Sequence, residues 1–539
     1  MIDQQKPCLV QTKQGFSVSY KERFLYSKYD PQKNIINLIN NLEVLDGTIF
    51  LIFSPCLFYG INELKNKLTD NCLIIACEKD ESLYNFSKEY YTSLKNEIPF
   101  LCTSDLLKLP EQINELCKSG KYKRIIRIDF STGVQFNQQF YNDLEESCKN
   151  IIQTFWKNRV TLIKFGRKYC SNLFKNLKHL PETSPIEKYF KSIKKPILVF
   201  GAGESIDYFF EKNADLNLSD FYIICADTAL RPLLDRKIKV DGVFIEEAQS
   251  VIIKAFIGCC TEKNDFHIFA GLSAASQLAS IFSAKRISFF TTQFSDLNFF
   301  NKLKDNNCLP PQNPPFGSVG ITSVYYALKF RENENIPVYI CGLDFSFSVG
   351  KTHAKSTLAS ILRLQTTTRI NQIQNIASAF SYGNIFETGK DDKPIVSSPT
   401  LISYAQIFNA FFPSEKNLFD FSEKGIKLLI KHKNPEKLLP EKGKEKLSET
   451  FGSEINEQKQ NYSKINNIIQ NEKKELKELL NLLTTKTEFS EAELKDKIEK
   501  LALEKEYLYL YFPDGYCFSY NQSFLNRLRT QIDYFLKIM

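Results

Sequence analysis

No apolar run in this chain reaches the ~18 residues that a bilayer span requires, and the first residues, MetIleAspGlnGlnLysProCys, lack the basic-then-apolar succession of a secretory signal. A cytoplasmic protein without a membrane span is the expectation. No CxxC pair or regular framework occurs among the 14 cysteines. Most of them, such as Cys72, Cys77, Cys225 and Cys341, sit in apolar runs and read as buried thiols in a reducing compartment, not as a disulfide scaffold. Charge of one sign is not concentrated either: 70 basic against 62 acidic residues leave a formal +8 spread over the whole length, so no nucleic-acid partner is expected. No internal repeat is evident, and histidines number only four. What is abundant is apolar sequence, 43% of 539 residues, which suits about three domains of ~150 residues each.

The apolar runs are short and alternate with helical patterns. Residues 48–55, a helical pattern over 61–68, the run CysLeuIleIleAlaCysGlu ending at Glu78, a second helical pattern and an apolar run around 125–130 predict a small parallel sheet. Residues 1–150 therefore read as an N-terminal Rossmann-like domain. Glu78 stands where such folds hold a ribose, yet the loop after the first strand, SerProCysLeuPheTyrGly, is not glycine-rich, so the domain reads as structural with a degenerate site. Residues 151–195 are basic and amphipathic and predict a helical linker, punctuated by ProGluThrSerPro at 181–185. Strands are predicted again at 197–200, 222–226, 242–245, 267–270, 287–291 and 338–341, which makes residues 196–430 a doubly wound parallel-sheet domain of α/β class. Within it, residues 357–412 read as helical, broken by a loop near 389–392. From 431 to 539 the composition turns to Lys, Glu, Asn and Leu, with Tyr462, Ile465, Ile469, Leu476, Leu479, Leu480 and Leu483 at helical spacing. This C-terminal helical appendage could pack on the sheet, form a dimer contact or hold a protein partner.

Residues able to carry chemistry gather at the predicted strand ends. Gly201 and Gly203 of GlyAlaGlyGluSer remove Cβ atoms that would keep a phosphate from the backbone, and the helix beginning at Ser205 offers unpaired N–H donors. A tight strand-to-helix turn that needs glycine for geometry alone fits the same residues. Asp227 and Thr228 follow the next strand, placed to bind a ribose hydroxyl or a metal, or to cap a helix. Glu246, Glu247 and Gln249 follow the third. Paired acids beside a diphosphate are Mg²⁺ chemistry, and solvated loop charges are the plainer alternative. Gly317 and Ser318 precede a long helical run and offer a second set of donors for an anion. Asp344, Lys351 and His353 come from the end of the last strand and its loop. His179 and His432 lie in basic helical contexts and His267 opens an apolar strand, which leaves His353 alone among small polar residues. A neutral imidazole, with a pKa near ~6.5, can take a hydroxyl proton; a surface-loop histidine is the alternative.

Taken in order, GlyAlaGlyGluSer (201–205), AlaAspThrAlaLeuArgProLeuLeu (226–234), GlySerValGlyIleThrSerValTyrTyrAlaLeu (317–328) and CysGlyLeuAspPheSerPheSerValGlyLysThrHisAla (341–354) resemble a family's motif series. That family is the motility associated factor (Maf) flagellin glycosyltransferases, whose central domain is similar to hydroxymethylpterin diphosphokinase-like proteins. SerLysTyrAspPro (27–31) resembles the short motif ahead of the family's first Rossmann-like domain. The chain departs from the pattern at Glu204, where the family has Pro, and at Glu247, where Asp is usual. The resemblance implies a cytoplasmic motility enzyme. It would move a nonulosonic acid of the pseudaminic or legionaminic type, or a related sugar, from a CMP-activated donor to Ser or Thr of flagellin. In that scheme Gly201, Gly203 and Ser205 cradle the nucleotide phosphate, and Asp227, Thr228, Glu247 and Gln249 surround the ribose or cytosine. Gly317 and Ser318 also meet the donor, His353 is the general base oriented by Asp344, and Lys351 neutralises the leaving phosphate. No cofactor is firmly implied; Mg²⁺ is optional and its ligands are unknown. Two other readings stand beside it: a pterin diphosphokinase-like enzyme using ATP and Mg²⁺ on Asp227, Glu246 and Glu247, and a non-catalytic flagellin-binding assembly factor.

Overall fold

The computed structural model describes residues 6–92, 98–214, 216–259, 264–370, 378–434, 458, 460–484 and 489–539. Two compact units make up the chain, Met1–Gly166 with Tyr509–Ser519, and Arg167–Leu508 with Tyr520–Met539. The division falls inside one continuous 42-residue helix, Gln138–His179. The expected boundaries at 150 and 195 fall elsewhere, the first of them inside this helix. Nor does a separate unit begin at 431. Among the described residues no helix is long and apolar enough to cross a membrane, and nine of the thirteen described cysteines are buried.

The first unit opens with an antiparallel meander, β1 (Cys8–Thr12), β2 (Gly15–Tyr20) and β3 (Arg23–Phe24). A parallel sheet follows, formed by β4 (Thr48–Phe53), β5 (Leu73–Glu78), β6 (Phe100–Cys102) and β7 (Arg124–Asp129) in the order β6-β5-β4-β7. Every residue of β4 is buried. Ile49, Leu51 and Phe53 enter one apolar cluster while Phe50 and Ile52 enter another, as expected of a parallel strand covered on both faces. The predicted strands are present; the meander and β6 were not foreseen, being short and only partly apolar. The Glu78 carboxylate, 1% exposed, is filled from within the unit: Oε2 accepts from Ser54 Oγ, and Oε1 from Tyr141 Oη and the Asp80 N–H. Three donors of the unit itself thus hold this carboxylate.

The second unit is built on nine strands. These are β8 (Ile197–Phe200), β9 (Tyr222–Ala226), β10 (Gly242–Ile245), β11 (His267–Gly271), β12 (Ile287–Thr292), β13 (Gln312–Asn313), β14 (Val338–Cys341) and, beyond a separate hairpin of β15 (Ile385–Thr388) and β16 (Pro394–Ser397), β17 (Leu418–Asp420) and β18 (Lys431–His432). Their order is β13-β12-β11-β10-β9-β8-β14-β17-β18, and every neighbouring pair is parallel. From β8 the chain winds outward through β9 to β13, then returns to lay β14 on the opposite side of β8. The α/β reading and its six central strands hold. The hairpin β15–β16 corrects the expectation of a helical 357–412 broken only by a loop; Leu358–Gln365 and Pro399–Phe411 are helices there.

Three C-terminal helices, Ile465–Thr484, Glu491–Leu503 and Gln522–Ile538, belong to or extend this unit through buried charge. Lys505, fully buried, donates to Glu475 Oε2 at 2.5 Å and lies 3.1 Å from Glu472 Oε1, while Tyr507 Oη donates to Glu472 at 2.7 Å. Lys302 joins the same carboxylates from the helix Asn298–Asp305. Removing one partner of such a network strands the others in a medium of low polarity. Lys505→Met should therefore cost about 3–5 kcal/mol, read as a lower urea midpoint for the second unit; an unchanged midpoint would mean that the network is not structural.

Candidate active site

The strand order changes direction between β8 and β14, and ligands of open α/β sheets bind outside the carboxyl ends of strands at such a switch. Two loops meet there. The Gly201 N–H donates to Cys341 O at 2.8 Å, and the Gly203 N–H to Gly342 O at 2.9 Å. A Cβ on Gly201 would lie 2.4 Å from Gly342 O, and one on Gly203 would lie 2.3 Å from Asp344 Oδ2. These glycines are thus required by the approach of the two loops, which is a different reason from the phosphate contact expected of them.

Asp344 occupies the place that the sequence assigns to a phosphate. Its Oδ2 accepts from the Ser205 N–H at 2.9 Å, satisfying the first turn of the helix Ser205–Lys212 with an internal carboxylate. Ser205 itself is buried behind this contact. Asp344 is 2% exposed, and its Oδ1 has no hydrogen-bond partner. Burial pushes the carboxyl up to about 6 against the opposing pull of the Ser205 hydrogen bond and of Lys390.

A cavity of about 530 Å³ opens at this point. Of the expected residues it brings together Gly201, Gly203, Asp227, Thr228, Ser318, Asp344 and His353. Ser205, Glu247, Gln249, Gly317 and Lys351 do not line it. Lys351 points elsewhere, its Nζ 2.9 Å from Asp207 Oδ2. Glu247 Oε1 accepts from the Gln249 N–H at 2.8 Å, a contact within their own loop. Gly317 shapes the turn before the helix Val319–Phe330: its φ is +73°, and a Cβ there would meet Tyr404 at 2.8 Å.

That helix presents the open N-terminus of the site. Ser318 is its N-cap but makes no side-chain cap, and Ser318, Val319 and Gly320 all face the cavity. Asp227, first residue of the helix Asp227–Asp235, instead accepts from the Thr228 N–H and Oγ1 on its Oδ1, and burial pushes its carboxyl up to about 6. Glu246 accepts a threonine hydroxyl on each oxygen, Thr292 on Oε1 and Thr322 on Oε2. These acids are engaged separately, and among the described residues no group of three or more His, Cys, Asp or Glu is placed to hold a metal. The expected Mg²⁺ site on Asp227, Glu246 and Glu247 does not fit this arrangement.

His353 is hydrogen-bonded through Nδ1 to Thr352 Oγ1 at 3.2 Å, not to Asp344, which corrects the expected orienting pair. Arg363 Nη1 donates to the same Thr352 oxygen at 2.9 Å. Burial and then the Arg363 charge hold the imidazole below its ordinary value, so it is neutral at neutral pH. Arg363 is the one permanent cation among the described residues lining the cavity, and with Tyr404, Ser381 and Asn384 it was missed in the sequence. All four fall within 357–412, where helical periodicity drew attention to packing. The loop Ser378–Asn384 lacks any motif, and Arg363 sits on an amphipathic helix whose charge reads as a solvated face.

With the geometry in view, comparison with known proteins gives three results. Residues 170–350 match the model of the family described as 6-hydroxymethylpterin diphosphokinase MptE-like. This stretch of the chain is similar to that family. The chain is 27% identical over 556 residues to an uncharacterized protein of Treponema pallidum (strain Nichols), with 99% of this chain and 95% of that protein covered. Its fold is similar to that of the Maf glycosyltransferase from Magnetospirillum magneticum AMB-1, at a TM-score of 0.54 and 12% identity, covering 99% of this chain and 91% of that one. The match to the MptE-like model therefore lies within a fold similar to that of a Maf glycosyltransferase, as the motif series led us to expect.

A carboxyl raised on folding contributes stability that is complete below its unfolded value and is lost as pH rises through about 6. Asp344→Asn keeps an acceptor for Ser205 and removes this ionisation. Its stability relative to the wild type should accordingly improve from pH 4.5 to pH 8 by about 1–3 kcal/mol, measured by denaturant unfolding across that range; a pH-independent difference would show that Asp344 is not held in this way.

Proposed function

We propose that the cavity is the catalytic site of a cytoplasmic glycosyltransferase that transfers a nonulosonic acid from a CMP-activated donor to Ser or Thr of flagellin. The observation that carries the reading is the convergence of an open helix N-terminus at Ser318, the cation Arg363, the unpartnered Asp344 Oδ1 and neutral His353 on one cavity. The donor's phosphate and carboxylate are anions, and a helix N-terminus with an arginine beside it suits both. Asp344 Oδ1 accepts from a donor hydroxyl or amide. His353 takes the proton of the acceptor hydroxyl as its oxygen bonds to the anomeric carbon, while the bond from that carbon to the phosphate oxygen breaks and CMP departs with the electron pair. Gly201, Gly203 and Ser205 act by holding Asp344, and Lys351 takes no part in neutralising phosphate. The likeness in fold to a Maf glycosyltransferase supports the transferase class.

The MptE-like match favours a second reading, a pterin diphosphokinase-like enzyme. That chemistry requires ATP with a divalent cation, and the separate engagement of Asp227, Glu246 and Glu247 weighs against it.

Two measurements test the proposal. CMP or CTP should raise the melting temperature, whereas a rise with ATP and Mg²⁺ alone would favour the kinase, and no response to either would favour a non-catalytic assembly factor. Flagellin co-expressed with this chain and a CMP-sugar pathway should gain the mass of the sugar. Arg363→Gln should weaken CMP binding on the order of tenfold or more, and His353→Ala should abolish the mass gain while leaving CMP binding intact. An unmodified flagellin with the wild-type chain would reject the transferase.

A further inference from the structure

The loop that brings His353 to the cavity is anchored from behind by a residue outside the cavity. Asp207, third in the helix Ser205–Lys212, is 1% exposed and does not line the site. Its Oδ2 lies 2.9 Å from Lys351 Nζ, and both carboxylate oxygens accept from the Lys355 N–H, at 3.2 and 3.0 Å. Lys351 and Lys355 stand two residues before and two after His353. On its other side Asp207 Oδ1 accepts from Arg236 Nη2 at 2.5 Å, a donor that follows the helix Asp227–Asp235. Two weaker ties act in parallel: the Ala354 N–H donates to Ala202 O at 3.0 Å, and Ser348 Oγ donates to Glu204 Oε1 at 2.5 Å.

We infer that Asp207 is a positioning residue for His353: by gripping the loop at Lys351 and Lys355 it seats the imidazole in the cavity. The inference rests on the transferase reading only for its catalytic consequence. One buried carboxylate is shared between two cations and a backbone N–H, so withdrawing the loop takes a cation and a hydrogen bond away from a charge held in the interior. Held at both flanks, residues 351–355 have little freedom to withdraw His353. A displacement of about 1 Å in a reacting group costs on the order of a hundredfold in rate. A carboxylate in the first turn also suits the positive end of the helix dipole. In the sequence Asp207 is one polar residue in an apolar helical run, and only the strand order that stacks the β14 loop on this helix reveals its partners.

The imidazole reports the seat directly. Arg363 is the charged group acting on it, and the Asp344 and Asp227 carboxyls line the same cavity. In histidine-labelled full-length protein, His353 should titrate below the ordinary ~6.5 in the wild type. In Asp207→Asn it should rise toward that value by about half a unit or more, because release of the loop restores solvent. Loss of the Asp207 charge alone would move it the opposite way, so the sign separates release from a through-space effect. Arg236→Gln removes the partner that does not belong to the loop and should leave His353 unmoved. If Asp207→Asn does not fold, Asp207→Glu keeps the charge, displaces the loop by one methylene and should give a smaller rise. An unchanged or lowered His353 titration in the folded variants, or an equal rise in Arg236→Gln, overturns the proposal. In the transferase assay kcat should fall about tenfold or more while CMP affinity stays within twofold. If flagellin proves not to be a substrate, the titration still decides the role of Asp207.

Discussion

The hydrogen bond from the Ser205 N–H to the Asp344 carboxylate, made possible by Gly203, is the contact on which the site depends. It closes the crevice between β8 and β14 with an anion that belongs to the chain. Once that helix N-terminus is satisfied internally, an anionic ligand must look to the other one, at Ser318, and the chemistry is displaced from the glycine loop toward the helix Val319–Phe330. The same contact leaves Asp344 Oδ1 buried and unpartnered, which keeps its carboxyl reluctant to ionise and ready to accept a hydrogen bond.

Buried acids recur around this crevice, and each is handled differently. Asp227 accepts from Thr228, Glu246 receives two threonine hydroxyls, Asp207 is shared among two cations and a backbone N–H, and Asp344 keeps one buried oxygen without a hydrogen-bond partner. Residues that look interchangeable in a linear sequence are thus divided by their partners into structural and chemical roles. A carboxylate already saturated by hydroxyls or by a neighbouring arginine has little left to offer a ligand. This division explains why Lys351, conspicuous beside His353, contributes to the architecture of the loop and not to the charge of the cavity.

Much of the fold was legible because buried parallel strands are rich in apolar residues, and β8 to β12 and β14 are buried along most or all of their length. The hairpin β15–β16 was not, because all of β15 is exposed and its sequence carries no alternation. Strands β13, β17 and β18 are two or three residues long, below the length at which periodicity gives a signal. Part of the candidate site was legible for a similar reason: Gly203, Asp227, Ser318, Asp344 and His353 all lie at strand ends or helix starts, where small polar residues stand out. Arg363 and Tyr404 lie on helices whose cavity-facing side cannot be told from solvent or core until the neighbours are known.

By itself, then, the sequence determined the succession of strands and helices and the residue types at their junctions, since both follow from local apolar patterning and from the backbone needs of turns. Which junctions meet, and which acid fills which helix end, was decided only in three dimensions. The reason is that parallel neighbours come from distant stretches of chain: β14 lies beside β8 although five strands intervene between them, and a carboxylate's role is set by the donors that this pairing brings within reach.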